Sequence, residues 1–143
     1  MQWPSSRSSL PRARIHFVVP GVPVPCARAR TYRDARKGRM RTVTPTRTRS
    51  YESLVRDVAQ LTANKEGWRI VSGDVYEVWL GIYREARHGD WDNYAKATCD
   101  AMQGIVYRND RAIEDSHVRL RIDAECPRVE VTVEAFMPER SGT

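Results

Sequence analysis

The stretch from Asp74 to Tyr83 constrains the fold most, because it is largely apolar on both sides of a strand. With a side-chain period of two, Val75, Glu77, Trp79, Gly81 and Tyr83 point one way and Tyr76, Val78, Leu80 and Ile82 the other. A strand of that kind must be flanked by other strands and covered on its faces, so it belongs in the interior of a sheet. Three more segments supply partners. Arg14 to Pro20 reads as a first strand ended by Pro20-Gly21, and two further strands run from about Ile113 to Asp123 and from Arg128 to Phe136. Val118, Leu120 and Ile122 alternate in one of these, and Val129, Val131 and Val133 in the other.

Two helices separate the strands. Thr48 or Ser50 is positioned to cap a helix through about Asn64, with Leu54, Val55, Val58 and Leu61 as its apolar stripe. Asp90 or Asp92 opens a second helix that runs to about Gln103 and stops at Gly104, burying Tyr94, Thr98, Ala101 and Met102. The order β-α-β-α-β-β predicts a single α+β domain, a mixed β-sheet with two helices. Residues 1–13, rich in Ser, Pro and Arg, read as a flexible leader to a folded domain over 14–143. Residues 21–46, with three prolines among many arginines, read as a long loop of the kind that carries function.

At 143 residues the chain is long enough to bury a core without staples. No apolar run approaches the ~18 residues of a membrane span, and the Arg-bearing N-terminus lacks the apolar core of a signal peptide, so a soluble, cytoplasmic protein is expected. Cys26, Cys99 and Cys126 are far apart and form no Cys-x-x-Cys pair, which favours free thiols over disulfides or zinc. Charge is divided unevenly. Residues 1–50 hold 12 basic side chains, 11 of them Arg, against the single acid Asp34; the remainder is net −5, for a total of +6. Arginine grips phosphate bidentately and stacks on bases, so Arg28, Arg30, Arg33, Arg47 and Arg49 are candidate nucleic-acid contacts. A basic arm or solvated surface is the ordinary alternative.

The acidic part holds the chemistry. Asp90-Trp-Asp-Asn-Tyr-Ala-Lys96 puts two carboxylates and an ammonium group at the opening of one helix, and Asp110 follows in a turn. An aspartate there ordinarily caps free N–H groups and complements the helix dipole. Capping accounts for one Asp, however, and not for the cluster. Carboxylates that close repel one another unless a hard cation lies between them, and phosphodiester hydrolysis needs such a cation to bind a non-bridging oxygen and activate water. Asp92, Lys96 and Asp100 share one helix face by their i, i+4, i+8 spacing. Lys96 either forms a salt bridge to Asp92 or stabilises charge on the attacked phosphate. Trp91 is read as a core anchor in preference to a stacking surface for a base, His88 as an exposed loop histidine, and His16 and His117 as structural. No Asp-x-Lys or Glu-x-Lys exists, which removes a PD-(D/E)xK nuclease core, and Gly81-Ile-Tyr83 lacks the Tyr-Ile-Gly that a GIY-YIG nuclease requires.

Asp90-x-Asp92-Asn93-x-x-Lys96-x-x-x-Asp100, followed by Asn109-Asp110 ahead of an apolar strand, resembles the RusA family of Holliday junction resolvases, common in bacteriophages. Phe17 to Pro25, Arg28-x-Arg30, Val43-Thr-Pro45 and Tyr51-Glu52 are similar to that family's opening strand, Arg-rich turn and first-helix entry, so the resemblance covers about residues 14 to 136. It implies a Mg²⁺- or Mn²⁺-dependent homodimeric endonuclease that nicks four-way DNA junctions symmetrically during recombination and repair. It further implies that Asp90, Asp92 and Asp110 bind the metal and that Lys96 joins them in catalysis. Many members have Asp-Asp where this chain has Asn109-Asp110, and Glu114 and Asp115 stand nearby as substitute ligands. The competing expectations are a non-catalytic basic DNA-binding protein and a protein that keeps the fold without cleavage.

Overall fold

A computed structural model describes residues 9–26, 30–33, 40–43 and 46–138, and the side chains of these residues outside 27–45. The elements in chain order are β1 (Ala13–Pro20), β2 (Arg30–Arg33), β3 (Met40–Val43), α1 (Thr46–Glu66), β4 (Val75–Arg84), α2 (Trp91–Met102), a 3-10 turn (Asp110–Ala112), β5 (Ile113–Ile122) and β6 (Arg128–Phe136). The main sheet has the order β1-β6-β4-β5. β4 and β5 are parallel and the other pairs antiparallel, so the sheet is mixed and β4 is interior, as its composition requires.

Alternation builds the core. Ile15, Phe17 and Val19 of β1 pair directly with Val133, Val131 and Val129 of β6, and those with Val78, Leu80 and Ile82 of β4; all nine are buried. Val131 and Val133 are thus wholly inside the core of the chain, and Val118 and Leu120 of β5 pack at the margin of the same core. The opposite side of β4 is also covered. Glu77 there is fully buried and meets His117 Nε2 at 2.8 Å, and the His117 ring stacks on Trp79. His16 meets Thr132 Oγ1 at 2.8 Å, so both strand histidines have structural partners. At the sheet end, Arg12 clasps buried Asp74 with Nε at 2.8 Å and Nη2 at 2.6 Å.

Two expectations for the first half are corrected. Residues 21–46 contain a hairpin, β2 paired with β3 from Arg30↔Val43 to Arg33↔Met40. Its strands are only four residues long, and their Arg content hides the alternation by which strands are recognised. The helix α1 begins before Thr48, which is buried inside it, and its inward stripe is Thr48, Tyr51, Val55, Ala59 and Ala63. Leu54 and Leu61 point outward, Leu61 being 70% exposed. Small residues every fourth position let α1 lie close to the sheet and α2, and close packing outweighs the larger apolar side chains elsewhere on the helix. Among the described residues, no helix is long and apolar enough to cross a membrane, and all three cysteines are free thiols.

Candidate active site

The loop that carries Asp90 is fixed from the sheet. Arg84, the last residue of β4, is buried and donates from Nη1 to the carbonyls of His88 (3.0 Å) and Gly89 (3.5 Å). Its guanidinium lies 5.7 Å from the ring centre of Tyr94, whose hydroxyl donates to the same His88 carbonyl at 2.7 Å. His88 is exposed, with Nδ1 3.1 Å from that hydroxyl. Gly89 has φ +75°, and a Cβ there would come within 3.0 Å of Tyr94 Cε2 and 3.3 Å of Pro25 Cγ. Both the conformation and the space call for glycine. Burial of the Tyr94 phenol raises its pKa, opposed by Arg84 and Arg47.

Asp90 is the N-cap residue of α2 by backbone position, but its side chain makes no capping hydrogen bond. That overturns the capping account of the first aspartate. Asp92 in the first turn accepts from the amide of Asn93 at 3.0 Å, a bond between chain neighbours. Both carboxylates are exposed at the positive end of the helix dipole. Trp91 between them is 60% exposed, so the core assignment fails and an aromatic face is open to solvent beside the two aspartates. Trp91 shares the angular side of Tyr94 and Thr98, three and seven residues on, but it stands in the first turn of α2 and is left uncovered there.

Lys96 pairs with Asp100 rather than Asp92, Nζ to Oδ2 at 3.1 Å. The hydrogen bond and charge of Asp100 raise its pKa, with smaller contributions from Cys26 and Asp110. Glu52 of α1 faces the same spot; burial raises its pKa first and the charge of Asp100 second. Burial likewise raises the Cys26 thiol, which senses Lys96, Glu52 and Asp100.

Asp110 is anchored toward the other end of α2. Its amide donates to Gln103 Oε1 at 3.4 Å, and Gln103 is the C-cap residue of the helix. Asn109 caps the 3-10 turn by accepting from the Arg111 amide at 2.9 Å, a task that asparagine performs as well as aspartate. A 12-residue helix is about 18 Å long, so Asp90 and Asp110 stand near opposite ends of α2, with Lys96 between. Among the described residues, no three His, Cys, Asp or Glu side chains are gathered closely enough to hold an ion together. Asp90 with Asp92 at one end, and Asp110 with Lys96 and Asp100 toward the other, are therefore two groups rather than one nest. Glu114 is exposed and Asp115 half-buried at the start of β5.

The arginine-rich segment begins and ends at this site. The Cys26 amide donates to the Asn93 carbonyl at 2.9 Å, which ties the chain leaving β1 to the first turn of α2. On the return, Arg47 and Arg49 lie exposed in the first turn of α1, and the charge of Arg47 reaches Tyr94. Arg28 and the side chains of Arg30 and Arg33 lie outside the described residues. Sequence pattern assigns no part to Arg84, Arg56 or Gln103. Nothing local marks them, since each reaches the site only through the way the chain folds.

A family model for the endodeoxyribonuclease RusA matches residues 20–134, and the chain belongs to that family. A search of curated proteins finds no match.

Proposed function

We propose that this member of the RusA endodeoxyribonuclease family resolves four-way DNA junctions by paired symmetric nicks, as a divalent-cation-dependent homodimer acting in recombination and repair. The observation that carries the reading is the carboxylate of Asp90, held at the N-cap of α2 without a capping bond, exposed beside Asp92. A carboxylate that contributes little to the helix it begins is available to a ligand. Hard oxygen donors at an exposed site, with room for water, fit Mg²⁺ or Mn²⁺, which bind through one or two carboxylates and retain several waters. Asp90 and Asp92 would hold the ion, and Asp110 stands with Lys96 toward the other end of α2. Such an ion polarises a phosphodiester and lowers the pKa of bound water.

The chain's own groups supply the rest. Arg84 and Tyr94 fix the loop before Asp90, so that the carboxylates are oriented before substrate arrives. Lys96, paired with Asp100, offers a positive charge for the negative charge carried by the phosphoryl oxygens during attack. Arg28, Arg30, Arg33, Arg47 and Arg49 bind DNA phosphates, and Trp91 offers a base an exposed ring to stack on. One chain has one Asp-x-Asp cluster whereas resolution takes two nicks, so two copies about a two-fold axis are the economical arrangement. The test is a labelled four-way junction incubated with the protein with and without Mg²⁺. Two symmetric nicks that appear only with the cation support the reading; binding without cleavage under both conditions contradicts it.

A further inference from the structure

We propose that Asp100, assisted by Gln103, is a positioning residue for Lys96, holding its ammonium group in register with the turn that carries Asp110. The proposal deepens the function above and rests on the reading of Lys96 as a catalytic residue. Its basis is a continuous polar chain. Lys96 Nζ donates to Asp100 Oδ2 at 3.1 Å, Gln103 Nε2 lies 3.5 Å from Asp100 Oδ1, and Gln103 Oε1 accepts from the Asp110 amide at 3.4 Å. The first is a full charge-assisted bond and the other two are long, so the lysine is gripped and the turn is steered. Arg56 of α1 anchors the same end, donating from Nη1 to the carbonyls of Ala101 and Gln103 at 3.0 Å each.

Helix stability alone would not select Asp100. It lies in the last turn of α2, where the dipole disfavours negative charge and α2 carries no basic residue of its own, Arg56 reaching that end from α1. The order Lys then Asp at i and i+4 is the less favourable orientation of a helical ion pair. Glu52 adds a second carboxylate close enough to be affected by Asp100. A carboxylate placed against the pair orientation and beside a like charge is accounted for by the ammonium group that it holds. Lys96 and the turn bearing Asp110 thereby become mechanically linked. Movement of that turn is transmitted through Gln103 and Asp100 to Lys96, a side chain otherwise 62% exposed and free to wander.

The full-length protein allows a direct test. Single-turnover cleavage of a labelled four-way junction in saturating Mg²⁺ reports chemistry, and junction affinity in Ca²⁺ reports binding. Asp100→Asn should slow single-turnover cleavage roughly 10- to 100-fold while the junction Kd stays unchanged or tightens, because a negative charge near the phosphates has been removed. Asp100→Glu, which restores a carboxylate, should recover most of the rate, and Gln103→Ala should slow cleavage less than Asp100→Asn. The Tm of Asp100→Asn should not fall, and the Asp100→Asn, Lys96→Ala double variant should be no slower than Lys96→Ala alone. A wild-type rate in Asp100→Asn with Lys96→Ala crippled would overturn the positioning role and leave the reading of Lys96 intact. Wild-type rates in both variants would overturn that reading and the proposal together. An equal slowing by Asp100→Asn in both backgrounds, with a lowered Tm, would assign Asp100 to structure instead.

Discussion

The carboxylates of the sheet and those at the start of α2 occupy opposite circumstances. Asp74 and Glu77, at the beginning of β4, are buried, and each has a committed partner: the Arg12 guanidinium for Asp74 and the His117 ring for Glu77. Asp90 and Asp92, just beyond the end of the same strand, are exposed; the first has no capping bond and the second, among the described residues, a bond from the next residue's amide. A buried carboxylate must be paired because desolvation is costly, whereas an exposed one left unpaired costs little and remains open to a ligand. The two ends of β4 thus separate paired, buried carboxylates from exposed ones between positions 74 and 92.

The comparison is most severely tested by exchanging effects. Asp90→Asn and Asp92→Asn should each lower cleavage by roughly 10²–10³-fold or more and leave the melting temperature within a degree or two of wild type. Asp74→Ala should do the reverse, costing about 2 kcal/mol of stability, less than a fully buried pair because Arg12 remains partly solvated. Denaturant unfolding alongside junction cleavage measures both. A destabilised Asp90→Asn, or an Asp74→Ala that melts like wild type, would erase the distinction.

Gly89 sharpens it, since it joins the sheet-anchored loop to the open carboxylates. Gly89→Ala should cost about 1–2 kcal/mol through its positive φ and the approach to Tyr94, and it should slow cleavage by displacing Asp90. Loss of stability with full activity would show that the loop tolerates movement. Trp91→Ala should leave stability unchanged and weaken junction binding by about 1–2 kcal/mol, the scale of one base–aromatic stack; quenching of tryptophan fluorescence on DNA binding should shrink with it. Unchanged affinity and quenching would return Trp91 to ordinary surface. The smallest effect concerns salt. Replacing Arg47 and Arg49 by Ala should reduce the slope of log affinity against log salt by about 0.9 for each phosphate no longer neutralised, and an unchanged slope would move the DNA surface elsewhere.

Much of the fold is legible in the sequence, for identifiable reasons. Period-two alternation locates β1, β4, β5 and β6 within a residue or so, because each has a face committed to the core. The second helix and the outward face bearing Asp92, Lys96 and Asp100 follow from the period of 3.6. The β2–β3 hairpin escapes because four-residue strands rich in Arg and Thr carry no core-facing pattern. The inward stripe of α1 is hidden because Ala59 and Ala63 look ordinary beside Leu54 and Leu61, and only the proximity of the sheet and α2 selects them. Trp91 misleads by its size and its angle: bulk favours burial on average and its spacing from Tyr94 and Thr98 puts it on the inward side, but its place in the first turn of α2 leaves it uncovered. The choice Lys96 makes is also hidden, since its spacing is i±4 to both aspartates and the orientation rule favours Asp92 whereas the pair formed is with Asp100. The choice of Asp100 is written in tertiary structure, through Gln103 and the turn at Asp110.

The central claim, that the open carboxylates of α2 exist to bind a divalent cation, is tested most directly by electron paramagnetic resonance titration of Mn²⁺ into the free protein. The account predicts a bound-Mn²⁺ signal in wild type that is lost or weakened at least tenfold in Asp90→Asn and Asp92→Asn and is retained in Trp91→Ala. Equal Mn²⁺ binding by wild type and both Asn variants would contradict it.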